Sequence, residues 1–104
     1  MPAALLKPDI LRKAAARAVS TLKVLANEDR LLLVCQLSQG ELCVSELEER
    51  LDIHQPTLSQ QLGVLRAEGV VSTRREGKQI FYSIADDNLL RVLGSLYSVY
   101  CPRH

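Results

Sequence analysis

The sequence predicts a mainly α-helical fold that carries one small β-hairpin. Apolar residues recur at helical spacing in most of the chain, and a tight turn separates two short helices within residues 44–69. After Gly69 the spacing becomes that of strands, with Ile80, Tyr82 and Ile84 alternating inward after a basic turn at residues 75–78. The predicted order of elements, α-α-α-α-β-β-α, is therefore that of a winged helix-turn-helix.

Length and composition indicate a single globular unit. The chain has 104 residues, of which 47% are hydrophobic and 24% charged, so we expect residues 1–104 to form one domain. The N-terminus has no basic stretch followed by a long apolar run, so no signal peptide is expected. We therefore expect a cytoplasmic protein with no membrane partner.

Capping and turn residues divide the helical part of the chain. The first helix is predicted over residues 8–26, and Asn27 is expected to cap a second helix that Gly40 closes. This second helix is apolar nearly all round, which favours a place at the buried centre of the domain. Ser45 and Glu48 have the spacing of a capping box for the third helix.

The fourth helix is predicted to begin near Pro56 and to end at Gly69. Asp86 or Asp87 is expected to cap the last helix, which carries more apolar surface than one small core can absorb. A second subunit would cover this surface. We therefore expect a homodimer with the first and last helices as its seam.

The outward face of the fourth helix is rich in side chains that form hydrogen bonds but carry no charge. Such groups can reach base edges in a major groove, where glutamine suits adenine. The candidate base-contacting residues are Gln55, Thr57, Ser59, Gln60 and Gln61. Arg74, Arg75 and Lys78 at the hairpin are expected to meet phosphates or a minor groove, and Arg66 is either another backbone contact or a solvated charge.

Four stretches of the chain, at residues 41–47, 55–62, 65–71 and 75–84, together resemble the ArsR/SmtB family of winged-helix repressors. They cover the helix-turn-helix and the wing in order. The resemblance implies a homodimer that binds double-stranded operator DNA with an inverted repeat. It also implies that the operator is released when an inducer binds or reacts.

Metal-sensing members of this family have recognisable ligand patterns, and this chain keeps little of them. The three cysteine positions of the arsenic-type site correspond to Cys43, Ser45 and Glu48, so one thiol remains. The last helix lacks the Asp and His pairs of the zinc-type site, and His54 and His104 are weak candidates. No metal site and no cofactor are therefore predicted, although a metal- or metalloid-responsive repressor remains the alternative.

Cys35 and Cys101 are the candidate sensor residues. From the local sequence alone Cys35 is a small hydrophobic residue in an apolar helix. The pair nevertheless resembles the dithiol of the sulfide- and persulfide-responsive repressors in the family. This resemblance implies that a persulfide or an oxidant is the inducer and that it links the two thiols. Cys43 is then either a bystander or an accessory thiol.

Other classes of protein are less compatible with the sequence. There is no Cys-x-x-Cys motif, no glycine-rich phosphate loop and no evident nucleophile partner for either histidine, so an enzyme is not expected. A winged-helix module that binds another protein instead of DNA is the remaining alternative from a different class.

Overall fold

The computed structural model describes residues 7–101 and confirms the winged helix-turn-helix fold. It has five helices and a three-stranded sheet within this range. In chain order the elements are α1 (Pro8–Leu25), α2 (Glu28–Leu37), β1 (Leu42–Cys43), α3 (Val44–Leu51), α4 (Thr57–Ala67), β2 (Val71–Glu76), β3 (Gln79–Ile84) and α5 (Asp87–Tyr100). The candidate His104 lies outside the described residues.

Two of the predicted helix caps are confirmed. The side chain of Asn27 accepts a hydrogen bond from the backbone N–H of Arg30 at 3.0 Å, which starts α2. Asp86 accepts from the backbone N–H groups of Asn88 at 2.9 Å and Leu89 at 3.3 Å, which starts α5. Each cap satisfies N–H groups that have no partner inside the helix.

The predicted capping box of α3 was placed at the wrong residues. The helix begins at Val44, and Glu46 accepts a hydrogen bond from the backbone N–H of Cys43 at 3.0 Å, so the capping pair is Cys43 and Glu46 instead of Ser45 and Glu48. This bond lowers the pKa of the Glu46 carboxyl group. The shift in register arises because Cys43 is held in a strand, so the chain must turn into the helix immediately after it.

The sheet contains a strand that the sequence did not indicate. β2 and β3 form the predicted antiparallel hairpin, with Val71 opposite Ile84 and with Gly77 in its turn at φ 62°. β1 pairs antiparallel with the other edge of β3, giving the order β1-β3-β2. A two-residue strand is too short to show an alternating pattern, and its partner is distant along the chain, so only the folded chain reveals it.

The core lies between α2, α3, α4, the sheet and the first turns of α5. Its fully buried side chains are mostly leucines: Leu33, Val34, Leu47, Leu58, Leu62, Leu65 and Leu89. The expectation that α2 is buried all round was wrong, because Leu32 and Cys35 are exposed. Among the residues of α1, only Val24 and Leu25 are buried, so most of this helix does not cover α2.

Long apolar faces of the two terminal helices remain uncovered. On α1, Leu11 and Leu22 are 46% and 58% exposed, and on α5 Tyr97, Val99 and Tyr100 are at least 66% exposed. Burying such side chains is favourable by about 1.5–3 kcal/mol each, so their exposure in one chain is costly. Within residues 7–101 no helix combines the length and apolar character needed to cross a bilayer.

Replacing Asp86 by Ala removes both capping bonds of α5, so we expect the free energy of unfolding to fall by about 1 kcal/mol. Asp87 is the matched control, because it is an exposed carboxylate in the first turn whose side chain is not the cap. Asp87→Ala should cost only about 0.3 kcal/mol through the helix dipole. Urea unfolding of both variants measures the difference, and equal losses would contradict the assignment of Asp86 as the cap.

Candidate nucleic-acid interface and thiol pair

The orientation of α4 follows from its buried face. Leu58, Leu62 and Leu65 recur at a spacing of three or four residues and have at most 1% of their surface exposed. The opposite face must therefore point outward. Ser59 and Gln60 are exposed and Thr57 is half-buried, so these three predicted DNA contacts lie at the surface.

Two of the five polar side chains predicted to contact bases are engaged within the protein. The side-chain oxygen of Gln55 accepts a hydrogen bond from the backbone N–H of Ser59 at 3.1 Å, which supports the first turn of α4. The side-chain oxygen of Gln61 accepts from Nη1 of Arg30 at 3.0 Å, and Gln61 is half-buried. Sequence spacing placed both on the outward surface, because the partner of Gln61 is 31 residues away in the chain.

The cations of the wing fall into two groups. Arg75 and Lys78 are exposed at the end of the β2–β3 hairpin, and Arg66 is exposed in the last turn of α4. Within residues 7–101 none of these three forms an ion pair with a carboxylate. Each therefore keeps a full positive charge available to an anionic ligand such as a phosphate.

Arg74 differs from these cations, because its guanidinium group is already occupied. It forms hydrogen bonds to both carboxylate oxygens of Glu41 at 2.7–3.1 Å, and it also binds Glu76. Its guanidinium carbon lies 4.7 Å from the centre of the Phe81 ring. The bonds to Glu41 and Glu76 raise the pKa of Arg74 above its ordinary value. Glu41 was not predicted as a partner because it lies 33 residues away.

Cys35 and Cys101 are exposed free thiols, whereas Cys43 is buried. Cys35 lies in α2, and Cys101 follows the last residue of α5 and donates its backbone N–H to Tyr97. Partial burial of the Cys35 thiol raises its pKa, and the negative charge of the Cys101 thiolate raises this pKa further.

The described residues offer little to a metal ion. Residues 7–101 contain no group of three or more His, Cys, Asp or Glu side chains arranged to hold one. His54 lies in the turn before α4, as expected, where Nε2 is 2.7 Å from a carboxylate oxygen of Asp52. Cys43 has its sulfur 3.2 Å from the Ser45 hydroxyl.

A helix-turn-helix with an exposed amide-bearing helix and a wing with free cations defines a DNA-binding transcription regulator. The model of the arsR family of bacterial regulatory proteins matches residues 27–73. A biofilm growth-associated repressor of Agrobacterium fabrum is 55% identical over 88% of this chain and 78% of its own length. The chain therefore belongs to the arsR family of regulators, which confirms that it is not an enzyme.

Solved structures agree with this assignment. The transcriptional repressor BigR of Xylella fastidiosa has a TM-score of 0.87 and 44% sequence identity, over 94% of this chain and all of the other. Reduced HlyU of Vibrio cholerae has a TM-score of 0.84 and 40% identity, over 88% of this chain and 97% of the other. Both similarities cover more of the chain than residues 27–73.

The pairing of Arg74 predicts how salt affects DNA binding. Arg75→Ala and Lys78→Ala should each reduce the slope of log K against log salt by about one for each bound protomer, because a phosphate contact is lost. Arg74→Ala should leave the slope nearly unchanged, since Glu41 and Glu76 already neutralise this arginine. Titrating the affinity for DNA against salt separates the variants, and a reduction of about one for Arg74→Ala would show that it binds phosphate after all.

Proposed function

We propose that the protein is a homodimeric repressor that binds operator DNA in the cytoplasm and releases it when Cys35 and Cys101 become linked. The observation that carries this proposal is the presence of two exposed free thiols, Cys35 in α2 and Cys101 directly after α5, in a fold whose α4 presents polar side chains at its surface. The related structure named as reduced HlyU belongs to a protein for which a redox state was distinguished.

Dimerisation follows from the uncovered apolar faces of α1 and α5. These faces lie at the two ends of the chain but are too apolar to be left in water, and a second copy would cover them by the same two helices. Two copies of α4 would then be held at a constant spacing. Operator recognition requires this, because each reading helix must enter a major groove one DNA turn from the other.

Within each protomer, Thr57, Ser59 and Gln60 are proposed to contact bases. Their side chains are polar, lie near the N-terminus of α4 and are at least partly exposed. Arg66, Arg75 and Lys78 are proposed to contact phosphates because their charges are unpaired within the described residues.

Gln55 keeps its amide N–H groups for a contact with DNA while its oxygen is engaged in the protein. Arg74 is proposed to hold the wing against the loop that carries Glu41, which would set the direction in which the wing meets the DNA.

The proposed inducer is a persulfide or a peroxide, and each gives a balanced reaction. A persulfide transfers a sulfur atom to one cysteine with loss of its own thiol, and the second cysteine attacks the inner sulfur and releases hydrogen sulfide. A peroxide converts one thiol to a sulfenic acid, and the second cysteine displaces water from it. Both routes oxidise the two thiols by two electrons and yield a bond between Cys35 and Cys101.

Such a bond would tie the end of α5 to α2. Tyr97 and Tyr100, next to Cys101, belong to the exposed face proposed as the dimer seam. A covalent pull on this end of the helix would change how the two protomers pack. The spacing of the two α4 helices would then no longer match the two half-sites.

The alternatives have less support. A metal- or metalloid-responsive repressor would need a set of ligands that residues 7–101 do not bring together. A protein-interaction module would not need the exposed amide and hydroxyl groups on α4 together with the unpaired cations of the wing.

Replacing either Cys35 or Cys101 by Ser should leave operator affinity unchanged but abolish its loss on treatment with a persulfide or a peroxide. Cys43→Ser is the matched control and should still release DNA, because Cys43 is buried and a serine can cap α3 in its place. Gel-shift titrations before and after treatment measure release. Mass spectrometry should show a joined pair of Cys35 and Cys101 peptides. Normal release by Cys35→Ser would rule out the proposed switch.

The raised pKa of Cys35 predicts a specific pH dependence of its reactivity. Alkylation requires the thiolate, so its rate should rise with a midpoint above the value of about 8.5 for a free cysteine. Cys101→Ser should move this midpoint to lower pH because a nearby negative charge is removed, while the effect of burial remains. Rates of iodoacetamide labelling of the Cys35 peptide measure both midpoints, with Cys43→Ser as control. An unchanged midpoint in Cys101→Ser would show that the two thiols do not interact.

A further inference from the structure

One side chain, Arg30, joins three helices of the domain. Its Nε donates to the carbonyl oxygen of Val24 at 2.7 Å, and its Nη2 donates to the carbonyl of Lys23 at 3.0 Å. Its Nη1 donates to the side-chain oxygen of Gln61 at 3.0 Å. Arg30 itself lies in the first turn of α2, so the guanidinium group links the end of α1 and the middle of α4 to α2.

The contacts with α1 satisfy groups that the helix cannot satisfy by itself. Lys23 and Val24 lie in the last turn of α1, where carbonyl oxygens have no partner within the helix. A cation at this end also interacts favourably with the helix dipole. Arg30 is held in place in turn, because its backbone N–H is bound by the capping side chain of Asn27.

The hydrogen bond to α4 turns Gln61, one of the predicted DNA-contacting residues, towards the protein. Gln61 is half-buried and its oxygen faces Arg30, whereas its neighbour Gln60 is exposed. The guanidinium group is planar and its donors have constant directions, so three acceptors held at once leave little freedom of rotation. A rotation of α4 about its axis, or a shift relative to the end of α1, would therefore strain these bonds.

We propose that Arg30 is a positioning residue, which sets the orientation of α4 relative to α1, and that Gln61 is its acceptor and not a base-contacting residue. This inference rests on the proposed function, because it assumes that α4 contacts DNA. It adds a hydrogen-bonded link between α1, which carries part of the proposed dimer seam, and α4, which is proposed to contact DNA. The end of α1, next to the apolar face proposed as the seam, and α4 then move as one unit.

A double-mutant cycle tests this link. Arg30→Met keeps the length of the side chain but removes its donors, and Gln61→Met removes the acceptor. The probe is a duplex that the unsubstituted protein selects from a random-sequence pool, with an unrelated duplex for comparison. Each single substitution should weaken binding to the selected duplex, but the double variant should bind about threefold to tenfold better than independent effects predict.

Gln60→Met, alone and combined with Arg30→Met, is the matched control. Gln60 directly precedes Gln61 on α4 and forms no hydrogen bond with Arg30. The fold-loss of affinity from Gln60→Met should therefore multiply with the fold-loss from Arg30→Met. Arg30→Met should also lower the ratio of affinities for the selected and unrelated duplexes, although Arg30 is not a proposed DNA contact. A purely structural role would leave this ratio unchanged in the folded fraction. If Arg30→Met does not fold, Arg30→Lys replaces it, because lysine keeps the charge but not the fork of donors.

The outcomes separate the two proposals. Independent effects of Arg30→Met and Gln61→Met, in a protein that does select a duplex, would overturn the positioning role and leave the proposed function intact. Failure of the unsubstituted protein to select any duplex would overturn the proposed function, and this inference with it.

Discussion

The structure depends on the burial of one face of α4 against the rest of the core. Leu58, Leu62 and Leu65 are almost fully removed from water, and each contributes about 2 kcal/mol by the area that it buries. Because side chains on a helix point in directions set by its period, burying these three also determines which residues face outward. The DNA-contacting surface is therefore a consequence of core packing.

Charge on the wing shows how tertiary contacts divide residues of the same type. Arg74 and Arg75 are neighbours on β2 and therefore point to opposite faces of the sheet. Arg74 meets Glu41 and the Phe81 ring, whereas Arg75 is exposed and unpaired within residues 7–101. The number of basic residues in a sequence cluster therefore overestimates the positive charge available to a ligand, because some of these residues form ion pairs within the protein.

The three cysteines are distinguished by their surroundings and not by their spacing. Cys43 is buried just before α3, whereas Cys35 and Cys101 are exposed. Leu89 and Leu93 pack the first half of α5 into the core, and Cys101 follows the exposed end of that helix. Two thiols so far apart in the chain can react with one another only if the folded chain brings them together.

The sequence by itself determined the helices, the hairpin, two of the caps and the buried face of α4, because periodicity and capping are local properties. It also indicated the family. The tertiary structure alone decided the β1 strand, the pairing of Arg74 with Glu41 and the contact between Arg30 and Gln61. These contacts join residues about 30 or more positions apart, and their formation depends on how whole elements pack, which no local pattern records.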